Sequence, residues 1–247
     1  MKNPITLFFA LLIAASAAGQ QNPFEGGTGT AADPFTITNA AQLAELAQKV
    51  NQGDAAYNNK HYKLLNDINL AEFGATFNDG QGWTPIGDDQ NSFRGVFDGN
   101  GKTITGLYIN QPGTDYIGLF GYIADGANIH SLGVEDVDIH GRGYVGGIAG
   151  YISNSSVSNS YVTGEVKNTT VPPHSTGSQI GGITGYLNSG SITKSYSAVT
   201  VNSNGGGVGG IAGVIQTGSS IINCYSTGEV SSSGVGVGSI YGTAGTQ

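Results

Sequence analysis

Leu43, Leu46, Ala47 and Val50 recur at three- and four-residue spacing, Asn39 precedes them, and Gln42 follows that asparagine by three positions. Side chains so spaced share one face of a helix. An asparagine in front of them can hold a first-turn amide, and Gly53 can end the element. One amphipathic helix is therefore expected over this stretch. Elsewhere the pattern is that of short β segments: His61 to Leu70 and Phe93 to Phe97 read as first, less regular coils, and Thr103 to Ile109, rich in β-branched and aromatic residues, reads as a strand. Phe97-Asp98-Gly99-Asn100-Gly101-Lys102 reads as a tight turn feeding the last of these.

From residue 116 onward the pattern repeats. Gly118-Leu119-Phe120-Gly121 aligns with Gly147-Ile148-Ala149-Gly150, Gly182-Ile183-Thr184-Gly185, Gly210-Ile211-Ala212-Gly213 and Ser239-Ile240-Tyr241-Gly242, with closing glycines 29, 35, 28 and 29 residues apart. The long interval contains Val171-Pro172-Pro173-His174, read as a loop bulging from one unit. Ser131-Leu132, Ser160-Tyr161, Ser195-Tyr196 and Cys224-Tyr225 recur behind those glycines, which puts Cys224 at a serine position. A unit of about 28 residues with short strands and no crossover helix cannot close a core alone. It must stack on its neighbours, strand over equivalent strand. The expected fold is all-β, a right-handed parallel β-solenoid with one N-terminal capping α-helix. Propeller blades need longer units of about 40 residues with four strands each.

The quintet Ile117-Gly118-Leu119-Phe120-Gly121 and its later copies resemble the GLUG motif of exported bacterial surface proteins. The resemblance covers about half the chain. It implies architecture and an extracellular setting rather than a chemistry. Peptidase-like proteins carrying the motif need a separate zinc-binding domain for proteolysis, and no HExxH occurs here. The organisation expected is a signal peptide over 1–18, a linker over 19–34, the cap helix and irregular first coils over 35–115, and GLUG-like coils over 116–247. The helix is expected to cover the first coil and its unpaired strand edges.

Composition sharpens the compartment. Lys2, the apolar run Ile5 to Ala15 and the small residues up to Ala18 read as an export signal cleaved near Ala17 or Ala18. That run is too short to span a bilayer, so no membrane span is expected, and the location is secreted or cell surface. Net charge is −8, or −9 without Lys2, with the few cations scattered, which excludes nucleic acid as a partner. Further domains of a longer chain are compatible with the repeat pattern. The lone Cys224 excludes a disulfide framework and reads as a small buried hydrophobe.

Candidate chemistry is sparse. Asp88 and Asp89 are adjacent, and adjacent residues on a strand face opposite ways, so with Asp98 they make a poor pair for a glycosidase and read better as turn residues. Asp136, Glu165, Thr200 and Glu229 align as a column, with Asp136 and Glu165 neighbours that need solvent or a cation between them. His61, His130, His140 and His174 lack zinc-like spacing, so no metal and no cofactor are expected. The most regular column is Tyr161, Tyr196 and Tyr225, with Leu132 one unit earlier. Facing inward it is a core stack, the expected role; facing outward it is a strip for binding sugar rings or a protein. The function expected is a noncatalytic, adhesin-like scaffold for a glycan or an extracellular protein. The alternatives are a carbohydrate-active enzyme on the same helix and a structural segment of a longer surface protein.

Overall fold

The computed structural model describes residues 22–168 and 178–245. The expected signal peptide, its cleavage point, and the loop with His174 lie outside the described residues. Strands pair with equivalent strands one repeat away, in parallel, and so build three walls of a solenoid. The largest wall has 13 strands, among them Phe35–Ile37, His61–Leu64, Val96–Thr105, Asn128–His140, Ser156–Ser158, Ser191–Thr193 and Ser220–Ile222 in that spatial order. Two five-stranded walls complete the turn. One stacks Phe120–Ile123, Ala149–Ser153, Thr184–Asn188, Ala212–Ile215 and Tyr241–Ala244. The other stacks Asp115–Ile117, Gly143–Gly146, Ile180–Gly181, Val208–Gly209 and Val237–Gly238.

Parallel stacking places like on like. Ile123, Ile152, Leu187 and Ile215 form one internal column, and Ile117, Val145, Ile180 and Val208 another. Gly121, Gly150, Gly185, Gly213 and Gly242 fall at equivalent positions, so the repeat glycines are in the expected register. Their neighbours at the corner explain the residue choice. A Cβ on Gly147 would lie 2.4 Å from Val162 Cγ1 and 2.8 Å from the Gly182 carbonyl oxygen, and one on Gly182 would lie 2.4 Å from the Gly210 oxygen.

Helix α1, Ala40–Asn51, forms where the pattern placed it. Asn39 Oδ1 accepts the Gln42 amide at 3.0 Å, while Gln42 Oε1 reaches back to the Thr38 amide at 2.8 Å rather than to Asn39. Leu43, Leu46, Ala47 and Val50 are buried in the common core. The first strand edge is covered differently from expectation. The Glu25 amide donates to the Thr36 carbonyl and the Thr36 amide to that of Gly26, both at 3.0 Å, and Phe24 packs on Phe35, Tyr57 and Tyr62. Part of the stretch read as linker is thus the lid of the edge, and the helix covers the core.

Two local insertions move the register by one residue. Four residues, 124–127, join Ile123 to Asn128, whereas three join Ile152 to Ser156. Ser160 therefore stands opposite Leu132, and Ser131 stands opposite Asn159, both in left-handed backbone. The proposed serine column is corrected to Leu132, Ser160, Ser195 and Cys224. Its hydroxyls are buried and cooperative: Ser160 Oγ donates to the Ser158 carbonyl and accepts the Leu132 amide, and Ser195 Oγ donates to the Thr193 carbonyl and accepts the Ser160 amide. Cys224 Sγ continues the ladder to the Ile222 carbonyl at 3.3 Å.

Two predictions follow from this packing. Gly147→Val and Gly182→Val press a side chain against backbone that has no room to retreat, and each is expected to cost about 3 kcal/mol, read as a lowered denaturation midpoint. Ser160→Ala strands the buried Leu132 amide at a cost of about 1–3 kcal/mol, whereas Cys224→Ser is neutral within about 0.5 kcal/mol because its neighbour already uses serine there. Burial pushes the Cys224 thiol up, so a bulky maleimide should label the native chain slowly at neutral pH and rapidly after unfolding.

Candidate functional site

The outer surface carries the polar residues of each strand, and stacking turns them into columns. Tyr161, Tyr196 and Tyr225 are in register, with centroids 4.8 and 5.1 Å apart and planes within 5°. They face outward, correcting the expected core stack. Their strand alternates buried and accessible positions, and Tyr225 at the far end is 54% exposed. The same one-residue shift removes Leu132 from this column: Gly133 stands opposite Tyr161, and a Cβ there would lie 2.6 Å from the tyrosine ring. Tyr161 Oη bonds to Glu135, which with burial holds the phenol well above its ordinary range. Ring faces are spent on one another, so the column offers edges and hydroxyls along its length.

The acidic column is also shifted. An extra residue at Asp136, in left-handed backbone, puts Asp138 rather than Asp136 opposite Glu165, with Thr200 next. The repulsion expected between adjacent carboxylates is relieved by the chain itself: Lys167 Nζ lies 2.8 Å from Asp138 and 3.1 Å from Glu165. Among the described residues no group of three metal-ligating side chains occurs. Asp88 Oδ1 accepts the Gln90 and Asn91 amides at 2.9 and 2.7 Å and so serves a turn. Asp98 accepts the Asn100 amide and pairs with Lys63 and His130 Nδ1, at 3.6 and 3.4 Å. That same Nδ1 faces Ser131 Oγ at 3.3 Å, so one ring nitrogen meets both groups and no serine–histidine–aspartate relay is formed.

A second aromatic surface, absent from the sequence reading, lies at the junction of the two five-stranded walls. Tyr122, Tyr151 and Tyr186 stack at 4.6 and 4.8 Å with planes 12° apart. Tyr116 and Tyr144 stack beside them at 5.0 Å and meet the first file edge to face. Hydroxyls are tied one coil onward: Tyr122 to Ser153, Tyr151 to Asn188, and Gln216 Nε2 donating to Tyr186. Burial first, then the neighbouring phenols, raises Tyr116, Tyr144 and Tyr151, with Asp115 adding at the first two, while Tyr122 is raised by burial against its bond to Ser153 and by Asp125 and Asp89; all four stay neutral at physiological pH.

Tyr116 and Tyr144 hold φ of 62° and 52°, a left-handed backbone that costs a bulky residue about 1–2 kcal/mol. In the next coil Gln179 takes this place, and in the two coils after it Gly207 and Gly236, at φ 74° and 72°. The fold accepts glycine there, so the tyrosines are placed against local preference. A signal did exist in the sequence: Gly-Tyr opens the second half of three successive repeats, at Gly121-Tyr122, Gly150-Tyr151 and Gly185-Tyr186.

With this geometry in view, comparison with known proteins is informative. A family model described as the GLUG motif matches residues 141–167 and 204–231. The chain carries GLUG repeats. It is 35% identical over 130 residues to a protein of Evansella cellulosilytica provisionally named a Gly-rich membrane protein, covering 52% of this chain and 14% of that one. It is also 35% identical over 144 residues to halomucin of Haloquadratum walsbyi, covering 57% of this chain and 2% of halomucin. The chain thus spans a small part of these relatives. Among solved structures, a provisionally assigned immunoglobulin A1 protease from Bacteroides ovatus superposes with a TM-score of 0.71 at 26% identity, over 91% of this chain and 66% of that one. The repeats and the β-helical architecture agree with these matches.

Lys167 also bears on His140, whose pKa is lowered first by burial and then by that ammonium, against the pull of Asp138 and Glu165. Lys167→Met leaves the two carboxylates unopposed, so the His140 titration followed by NMR should move upward. An unchanged or lower value would remove Lys167 from this cluster.

Proposed function

We propose that this chain is a noncatalytic, adhesin-like scaffold of the cell surface or extracellular medium, exported by its N-terminal signal, whose lateral wall binds a glycan or an extracellular protein. The observation that carries the reading is the outward, ordered display of tyrosine columns on a rigid stack. Aromatic side chains with two soft torsions lose little freedom on binding and supply large contact area. Tyr161, Tyr196 and Tyr225 are proposed contact residues, presenting edges and hydroxyls along three coils. The relatives named as a membrane protein and a halomucin favour a surface location. Of the candidate glycosidase carboxylates, Asp88 is engaged in a turn and Asp98 in ion pairs.

The test is a binding screen of the purified chain against polysaccharides and extracellular proteins. Capture of at least one ligand is expected, with a tenfold loss for that ligand when Tyr161, Tyr196 and Tyr225 are replaced by serine in a chain of unchanged thermal midpoint. Polysaccharide cleavage abolished by Asp88→Asn or Asp89→Asn would replace this reading with an enzymatic one.

A further inference from the structure

We infer that the face formed by Tyr116, Tyr122, Tyr144, Tyr151 and Tyr186 is a binding site for a neutral polysaccharide lying along the solenoid axis. The inference rests on the lateral-binding reading and assigns a ligand class to a surface distinct from the Tyr161 column.

The face is local, which separates it from a general device of the fold. Its first file ends at Val214 and Thr243 in later coils, and its second gives way to Gln179 and then to Gly207 and Gly236. Coils without the tyrosines stack in the same register, so stacking does not require them. Two of the five also sit in backbone that favours glycine. Strain of this kind persists where something other than stability selects the side chain.

Charge selects the ligand class. The face offers phenolic hydroxyls, with Asp89 and Asp115 near enough to act on the phenols. The guanidinium beside it, Arg142, is clasped by Asp115 through Nε at 2.8 Å and through Nη2, so these two charges match each other and Asp89 sets the sign of the face. Hydroxyls and carboxylates exchange hydrogen bonds with a polyol, while an acidic polymer such as a uronate or a sulfated glycan meets like charge on a chain of net charge −8. Geometry gives the direction. Rings 4.6 and 4.8 Å apart along the stack repeat the same edge and hydroxyl, which suits a ligand that is itself periodic and extended. A short run of pyranose rings fits that length.

The experiment is isothermal titration of the whole chain with a soluble neutral β-glucan and a galactomannan, against polygalacturonate and heparin. Binding to a neutral polymer is expected, weakened at least tenfold by Tyr116→Gly with Tyr144→Gly. The thermal midpoint should stay within a few degrees, since glycine relieves the backbone as the stacking is lost. Should that pair unfold the chain, Tyr116→Asn with Tyr144→Asn reads the same site, asparagine being at ease in left-handed backbone. Unchanged affinity in folded variants, or preference for the anionic polymers, overturns the assignment. So does Tyr144-dependent capture of a protein without glycan binding. Neutral-glycan binding that depends on Tyr161, Tyr196 and Tyr225 instead would leave the lateral-binding reading standing and sink this one. Absence of any ligand on either surface sinks both.

Discussion

Backbone pairing between successive coils is the constraint from which the rest follows. Beyond the first strand, whose outer edge is closed by Glu25 and Gly26, a strand here has no partner within its own repeat, so its amides and carbonyls are satisfied by the coils above and below, at the spacing of a parallel ladder. That spacing lets each side chain rest on its counterpart. Inside, branched aliphatics stack into continuous files such as Ile123, Ile152 and Leu187, and a buried serine can hand a hydrogen bond from coil to coil. At the corners backbone meets backbone, which is why the repeat is punctuated by glycine.

The same constraint governs what can be read from sequence. The parallel architecture, the helix and the glycine register were legible, because they depend only on spacing between recurring residues. Single-residue insertions were not. The turn 124–127 and the extra residue at Asp136 leave the repeat length almost unchanged yet displace Ser131, Leu132 and Asp136 from the columns to which spacing assigned them. An alignment spreads such a residue anywhere in the repeat, whereas the ladder must absorb it at one place, and left-handed backbone at Asp125 and Gly126 and at Asp136 marks where it did so.

The face of the tyrosine column was unreadable for a related reason. Alternation fixes which side a residue takes only while the strand stays regular, and each coil here is broken by corners that reset the parity. Lys167 illustrates the complementary point. Like charges brought together by stacking need an answer, and the chain supplies an ammonium of its own between Asp138 and Glu165 where the sequence pointed to solvent ahead of a cation.

Regular columns on a solenoid are ambiguous, since stacking of like on like is both what stabilises the fold and what a repetitive ligand would recognise. Backbone conformation separates the two. Tyr161 and Tyr196 occupy ordinary strand positions, where a ladder of rings contributes its stacking without strain. Tyr116 and Tyr144 occupy left-handed positions that the coils beyond Gln179 fill with glycine, and their hydroxyl-rich neighbours are confined to the same few coils. A residue kept where the backbone disfavours it, in a stack that closes equally well without it, is better explained by what it presents to the outside than by what it adds to the fold.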